Sequence, residues 1–265
     1  MTHQPERVAA FVKSLSNEMI TFCGPIFIAP GLRTYPKQMI DNGTYSLIDT
    51  GQRRILVTCH HVWQAYLDSR TTNPDTVLAI NLGDGDASVA FNLPERQLID
   101  ADADMDLAVF DFQSSRIQVN KIQINHQKNW FPIRNWPIPK ASDGEHMALM
   151  GFPAKRVKKE GMLCTFRTKV LPFKITHVGE KQIYILNEGH NVEVFNDIKG
   201  RLGGLSGSPA YTFGQNGASL VGFVKSGYKK KEEKSDTTDD SIFSGSLSLT
   251  HAYFLQPDGT LARPQ

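Results

Sequence analysis

The sequence is poor in cysteine, in long apolar runs and in excess charge of either sign. Three cysteines among 265 residues are an odd and sparse set, whereas a secreted disulfide framework usually has more, in even number. No stretch approaches the roughly 18 consecutive apolar residues of a membrane helix, so we expect no membrane partner. The 29 basic and 27 acidic residues nearly balance, which gives no reason to expect a nucleic acid partner.

The first residues also lack the order that a signal peptide requires. Such a peptide has a basic start, an apolar run and a small-residue cleavage site, and no apolar block as long as that run precedes Ile26. Together with the scarcity of cysteine, this predicts a cytoplasmic protein in which Cys23, Cys59 and Cys164 form no disulfide. The composition, 40% hydrophobic and 21% charged, is that of an ordinary globular protein.

Short apolar segments between glycine and proline clusters make up most of the chain. Many short strands with few helices are typical of an all-β sandwich or barrel. Residues 5–20 instead suit a short helix, because Pro5 lies near its start and apolar side chains share one face. Clear examples of the strand-like segments are 44–50, 53–59, 107–112, 147–152, 182–187 and 219–224.

The first pattern with chemical content is a pair of histidines after an apolar strand, within 55–63. The strand ends at Thr58, and His60 and His61 follow shortly after it. A histidine at the end of a buried strand is held rigidly while its ring faces a cleft, as a general base requires. The alternative is a polar residue satisfied at a strand end. A zinc site is disfavoured, because adjacent histidines point in different directions and no cysteine or acid lies at ligand spacing.

The second pattern is a series of carboxylates before another apolar strand. Four aspartates occupy alternate positions from Asp100 to Asp106, and the strand follows at 107–112. The alternation is similar to a calcium loop, but the glycine and terminal glutamate of an EF-hand loop are missing. An acid here could also simply mark a strand start. We interpret Asp106 as turning inward, because a buried carboxylate can fix the tautomer of a histidine.

The third pattern is the glycine-rich segment 201–211, and it is the strongest of the three. A serine nucleophile must stand on a tight turn that also directs backbone N–H groups at the developing oxyanion. Glycines on both sides of Ser206 allow such a turn without side-chain clashes. Taken alone, the segment could equally be an ordinary Gly/Ser loop.

Together the three patterns resemble those of the trypsin-like (chymotrypsin-fold) serine peptidases, especially the bacterial-type branch. The Thr-Ala-Ala-His motif of that family matches residues 58–61, and the match selects His61 rather than His60. Its Asp-Leu-Ala-Leu motif matches residues 106–109, and its Gly-Asn-Ser-Gly-Ser-Pro motif matches residues 204–209. The chain order His, Asp, Ser is that of chymotrypsin and differs from that of subtilisin and the α/β-hydrolases.

The resemblance implies an all-β fold of two antiparallel six-stranded β-barrels with a short N-terminal helix. It implies a single trypsin-like peptidase domain over residues 1–265, with sub-barrels at about 20–115 and about 140–255. The active site would lie between the two barrels.

The resemblance also implies the chemistry, which is peptide-bond hydrolysis by a serine endopeptidase through an acyl-enzyme. His61, Asp106 and Ser206 would form the catalytic triad, and the backbone N–H groups of Gly204 and Ser206 the oxyanion hole. This mechanism requires no metal and no organic cofactor. The expected partners are a protein or peptide substrate and a possible regulatory protein.

Residues 221–227 are similar to the family strand that binds the substrate backbone and walls the primary specificity pocket. The substrate-binding residues would then be Val224, Lys225, Ser226 and Gly227. The chain departs from the family here, since lysine and serine replace the usual serine and tryptophan. Leu205 also replaces the usual acid or amide before the nucleophile, a residue that transfers no proton.

Two other classes of function remain open from the sequence. A catalytically silent protein could keep the fold as a binding or scaffold module, because fold does not dictate function. An esterase or another acyl transferase could use the same triad on a different substrate.

Overall fold

Two antiparallel β-sheets, packed against each other, organise the protein. The computed structural model describes residues 17–31, 41–81, 90–93, 95–112, 128–152, 157–160, 163–166, 169–198, 204–214, 217–229 and 245–264.

The first sheet is built from the N-terminal half of the chain and has the order β5-β4-β1-β2-β3-β7-β6. A further two-residue strand, β8, pairs parallel to β2 at its margin. Every residue of β1 is buried, which fits its lack of charged residues. The strands are β1 (Cys23–Ala29), β2 (Asp41–Asp49), β3 (Arg54–Thr58), β4 (Val77–Asn81), β5 (Ala90–Asn92), β6 (Leu98–Asp102), β7 (Leu107–Asp111) and β8 (Phe131–Pro132).

The second sheet comes from the C-terminal half and has the order β12-β9-β15-β16-β17-β14-β13. A separate hairpin joins β10 to β11. These strands are β9 (His146–Gly151), β10 (Val157–Glu160), β11 (Leu163–Phe166), β12 (Lys169–Lys174), β13 (His177–Val178), β14 (Gln182–Leu186), β15 (Pro209–Gly214), β16 (Gly217–Lys229) and β17 (Gly245–His251).

Two α-helices are described, α1 (His60–Thr72) and α2 (Asn191–Ile198), besides short 3₁₀ turns. Helix α1 packs on the first sheet through Val62, Trp63 and Tyr66. The helix predicted over 5–20 lies almost wholly outside the described residues, which become helical from residue 17 and continue as a 3₁₀ turn at Ile20–Phe22. Within the described part of the chain, no helix combines the length and apolarity needed to cross a bilayer.

Two sheets of mainly antiparallel strands with few helices confirm the predicted all-β class and are consistent with a trypsin-like fold. The sheets contain eight and seven strands, whereas six in each were expected, because short marginal strands such as β8 and β13 extend them. One apolar core spans both sheets, with Val57 and Val109 from the first beside Met150 and Phe223 from the second. The assignment of residues 1–265 to one domain stays a prediction.

Buried hydrogen bonds from Thr44 on β2 tie the first sheet to the second. Its hydroxyl donates to the carbonyl of Gly204 (2.8 Å) and accepts from the backbone N–H of Phe152 (3.2 Å). Its own N–H donates to the carbonyl of Ser206 at 2.8 Å. Because Thr44 is fully buried, these polar groups have no access to water as a substitute partner. The contact therefore fixes the glycine-rich segment to the first sheet.

Thr44→Val should destabilise the protein strongly, because it leaves the Gly204 carbonyl and the Phe152 N–H buried without this partner. We expect a loss of roughly 2–4 kcal/mol in the free energy of unfolding, measured by urea denaturation. Thr71→Val is the matched control, since the Thr71 hydroxyl bonds the Asp68 carbonyl at an exposed helical position. Equal losses in the two variants would contradict a bridging role for Thr44.

Candidate active site

His61 stands at the junction between strand β3 and helix α1. The strand ends at Thr58, Cys59 is still extended (φ −75°, ψ 144°), and the helix begins at His60. The abrupt change of direction holds the His61 backbone between two regular elements, while its side chain is 50% exposed. The ring is thus anchored at its base and open to solvent at its edge.

Asp106 binds His61 through both carboxylate oxygens. One oxygen, Oδ2, lies 2.8 Å from the ring Nδ1, and Oδ1 accepts the His61 backbone N–H at 2.8 Å. The second bond satisfies one of the N–H groups that a helix leaves unpaired at its N-terminus, where negative charge is favourable. Cys59, at the N-cap position of α1, makes no side-chain capping bond, so Asp106, 45 residues after His61, caps the helix instead.

The backbone of Asp106 is in the left-handed region, with φ at 55°. This conformation is uncommon for residues other than glycine, although aspartate tolerates it better than most. The turn is held from the second sheet, where the hydroxyl of Thr250 donates to the Met105 carbonyl. The ammonium of Lys225 also donates to the Asp104 carbonyl at 2.7 Å. Neighbouring strands therefore fix the turn that directs the carboxylate at His61.

Ser206 lies on a tight turn flanked by two glycines with positive φ, 87° at Gly204 and 86° at Gly207. The Ser208 N–H closes the turn on the Leu205 carbonyl at 2.8 Å. Ser206 is only partly buried, although its neighbours on the turn are buried. A partly exposed serine on a turn of this shape is the arrangement that the sequence predicts for a nucleophile.

Leu205 anchors this turn in the core of the second sheet. Its side chain is 1% exposed and belongs to the same apolar cluster as Leu149 and Phe173. A Cβ placed on Gly151 would lie 2.6 Å from a Leu205 methyl carbon, so the glycine leaves the room that the leucine fills. The unusual residue before Ser206 is thus an apolar anchor.

The serine turn packs directly against the segment that carries His61. A Cβ on Gly43 would lie 3.0 Å from a methyl carbon of Val62 and 3.2 Å from the Ser206 carbonyl oxygen. A Cβ on Gly207 would approach the Thr58 hydroxyl to 2.9 Å. Gly207, next to Ser206, therefore packs against Thr58, and Gly43 lies between Val62 and the Ser206 carbonyl, so the serine turn lies close to the segment that carries His61.

Cys59 is buried where the three sequence patterns meet. Its thiol donates to the Val224 carbonyl at 3.0 Å. Burial raises the pKa of the Cys59 thiol well above its usual value, and the charge and hydrogen bonding of Asp106 raise this pKa further. Backbone hydrogen bonding from Gly207 and the charge of Lys225 oppose these effects. The thiol is thus neutral and a poor nucleophile, which nothing in the sequence pattern indicated.

The predicted substrate-binding residues lie on β16 beside the serine turn. Val224 accepts the Gly207 N–H (2.8 Å) and donates its own N–H to the Ser208 carbonyl (2.9 Å). A register irregularity between Val224 and Ser226 leaves Lys225 out of the regular pairing with β17. For Ser226 and Gly227 the backbone is described as part of β16, and the side chain of Ser226 lies outside the described residues.

The structure thus brings together the three sequence segments that carry the predicted site residues. The His61–Asp106 pair is hydrogen-bonded, and Gly204 and Ser206 share the turn docked beside it. Cys23 and Cys59 are both buried, and the side chain of Cys164 lies outside the described residues, so the prediction that the three cysteines form no disulfide stays a prediction.

Comparisons with known proteins find solved structures to which this chain is similar. The crystal structure of Deg5 is similar with a TM-score of 0.49 and 13% sequence identity, over 85% of this chain and 88% of that chain. The chain matches no protein-family model and no curated protein.

Gly207→Ala should disrupt the serine turn, because a Cβ there would lie 2.2 Å from the Thr44 carbonyl oxygen. The left-handed backbone adds roughly 1–2 kcal/mol for any residue with a side chain, so we expect a total loss of at least about 2 kcal/mol. Urea denaturation measures the loss. Gly214→Ala is the control, since no atom lies within 4 Å of a Cβ at that position. A cost no larger than that of the control would disprove the tight packing of the turn.

Proposed function

We propose that this protein is a serine endopeptidase, a hydrolase that cleaves peptide bonds in protein or peptide substrates. The observation that carries the proposal is the pair of bonds from Asp106 to His61, one to the ring and one to the backbone, each 2.8 Å. A carboxylate held in this way orients an imidazole with its second nitrogen free to act as a base.

In the proposed reaction, His61 Nε2 removes the hydroxyl proton of Ser206 as its oxygen attacks the peptide carbonyl. The same nitrogen then returns the proton to the leaving amine, which leaves an acyl-enzyme on the serine. Water hydrolyses the ester by the reverse sequence of proton transfers and releases the second product. No group other than these side chains has to carry a proton.

Asp106 contributes orientation and charge to this reaction. Its carboxylate accepts a hydrogen bond from the Nδ1–H group of His61, which leaves Nε2 as the nitrogen without a proton in the neutral ring. When His61 is protonated in the transition state, the buried negative charge stabilises the imidazolium. The side chain of Asp106 is only 9% exposed, so water screens this interaction little.

The oxyanion hole in this proposal is formed by the backbone N–H groups of Gly204 and Ser206. The carbonyl of Gly204 is fixed by the Thr44 hydroxyl, which helps to hold the turn rigid before a substrate arrives. Preorganised donors cost no rearrangement during the reaction and supply much of the catalysis. Residues 225–227 of β16 would hold the substrate backbone beside them, whereas the backbone groups of Val224 are already bonded to the serine turn and to Cys59. The affiliation with the bacterial-type branch and the cytoplasmic location stay predictions.

Ser206→Ala should abolish both turnover and labelling by a fluorophosphonate probe, because only an activated serine attacks phosphorus readily. Loss of such a nucleophile costs on the order of 10⁶ in kcat. Ser208→Ala is the matched control two residues away, and its reaction with the probe should persist. A wild-type protein that is folded yet inert toward the probe would favour a silent binding protein.

Asp106→Asn should lower kcat by roughly 10⁴ while leaving the protein folded. Asparagine can still accept the His61 backbone N–H and cap the helix, but its amide favours the wrong tautomer of the ring. Kinetics with a peptide substrate, together with a thermal unfolding curve, separate the two effects. An unfolded variant, or one with wild-type kcat, would contradict this role of the carboxylate.

His61→Ala should reduce turnover far more than His60→Ala, although the two residues are adjacent. His61 bonds Asp106, and loss of a triad base in such enzymes costs about as much as loss of the serine. Steady-state kinetics on both variants provide the comparison. A larger loss in the His60 variant would place the catalytic base one residue earlier.

A further inference from the structure

Three side chains with metal-binding atoms converge at the candidate site. The Cys59 sulfur, a ring nitrogen of His61 and a carboxylate oxygen of Asp106 all lie within 4.8 Å of one another. Among the described residues, these are the three potential metal ligands whose binding atoms lie this close together. From the sequence, zinc is disfavoured at this histidine pair because adjacent histidines point in different directions and no cysteine or acid lies at ligand spacing. The fold brings Asp106 to His61 across 45 residues.

We propose that Cys59, His61 and Asp106 form an inhibitory binding site for Zn²⁺. Thiolate, imidazole and carboxylate are the three protein ligands that zinc prefers, and three of them with one water complete a tetrahedron. Zinc–ligand bonds of about 2.0–2.3 Å place ligand atoms about 3–4 Å apart. The three atoms lie within 4.8 Å of one another, so the side chains would have to adjust to close on the ion.

Zinc at this position is incompatible with base catalysis for a chemical reason. A neutral imidazole that binds the metal through Nδ1 carries its proton on Nε2. Nε2 then donates a hydrogen bond and has no lone pair left to accept the Ser206 proton. The metal also takes the Asp106 oxygen that otherwise orients the ring. Inhibition follows from the choice of tautomer, even when the substrate cleft stays open.

An ion can reach the cluster through the exposed His61 side chain, and the Cys59 sulfur makes the site selective among metals. Cys59 and Asp106 are buried, whereas the His61 side chain is 50% exposed, so rotation of this ring admits an ion from the cleft. The Cys59 thiol loses its proton when it binds the metal. A soft sulfur ligand favours Zn²⁺ over Mg²⁺ and Ca²⁺, which prefer oxygen. Neither Mg²⁺ nor Ca²⁺ should therefore inhibit.

The first test is spectroscopic and does not depend on the proposed function. Only the inhibitory effect of the metal rests on that function. Co²⁺ added to the full-length protein should give a thiolate-to-metal charge-transfer band, and Zn²⁺ should displace it. Cys59→Ala should lose the band, whereas the single variants Cys23→Ala and Cys164→Ala should keep it. No band in the wild-type protein, or a band that survives in Cys59→Ala, would overturn the proposal.

The second test measures inhibition, each variant being compared with its own metal-free rate. Zn²⁺ should inhibit the wild-type protein, and Cys59→Ala should weaken this inhibition at least tenfold. Even the loss of a residue that only hydrogen-bonds a metal ligand lowers metal affinity about 10–100-fold. His190→Ala is the control for the other close pair of rings, His146 and His190, whose centroids are 5.2 Å apart. Inhibition that follows His190 and ignores Cys59 would refute the site.

The two proposals fail in different ways. A protein that shows the Cys59-dependent cobalt band but never reacts with a fluorophosphonate retains the metal site and loses the peptidase function. A protein that reacts with the fluorophosphonate but shows no such band retains the peptidase function and loses the metal site.

Discussion

The carboxylate of Asp106 is the constraint around which the site is arranged. It accepts a hydrogen bond from the first turn of α1 and another from the ring of His61, so one charge serves the helix and the histidine together. To reach both, Asp106 adopts a left-handed backbone conformation, which neighbouring strands hold through bonds to the adjoining carbonyls. The second sheet thus stabilises a geometry that the first sheet alone would not maintain.

The same dependence holds in the opposite direction for the serine turn. The turn belongs to the second sheet by sequence, but its carbonyls at Gly204 and Ser206 accept hydrogen bonds from Thr44 of the first sheet. Each half of the site is therefore positioned in part by the sheet that does not contain it. A site that depends on both sheets can form only when they are packed together, which couples the chemistry to the cooperative folding of the whole unit.

The sequence predicted the strands better than the contacts between segments that are distant in the chain. Apolar alternation and the glycine clusters were enough for an all-β fold, since they depend on local periodicity. They did not predict α1, because His60 and His61 look like the end of a strand until tertiary contacts supply a cap from Asp106. The role of Cys59 was also out of reach, since its contacts with Val224 and the Asp106 region come from segments distant in sequence.

The apolar anchor at Leu205 has a consequence for how the serine turn responds to its surroundings. An anchor made of an ion pair would weaken as salt is added or as pH moves through a titration. Leu205 carries no charge and is 1% exposed, so this part of the anchorage is indifferent to both. Hydrophobic contacts instead lose strength on cooling and in urea, and gain it in the presence of sulfate. The strength with which Leu205 anchors the turn next to Ser206 therefore depends on temperature and cosolvent.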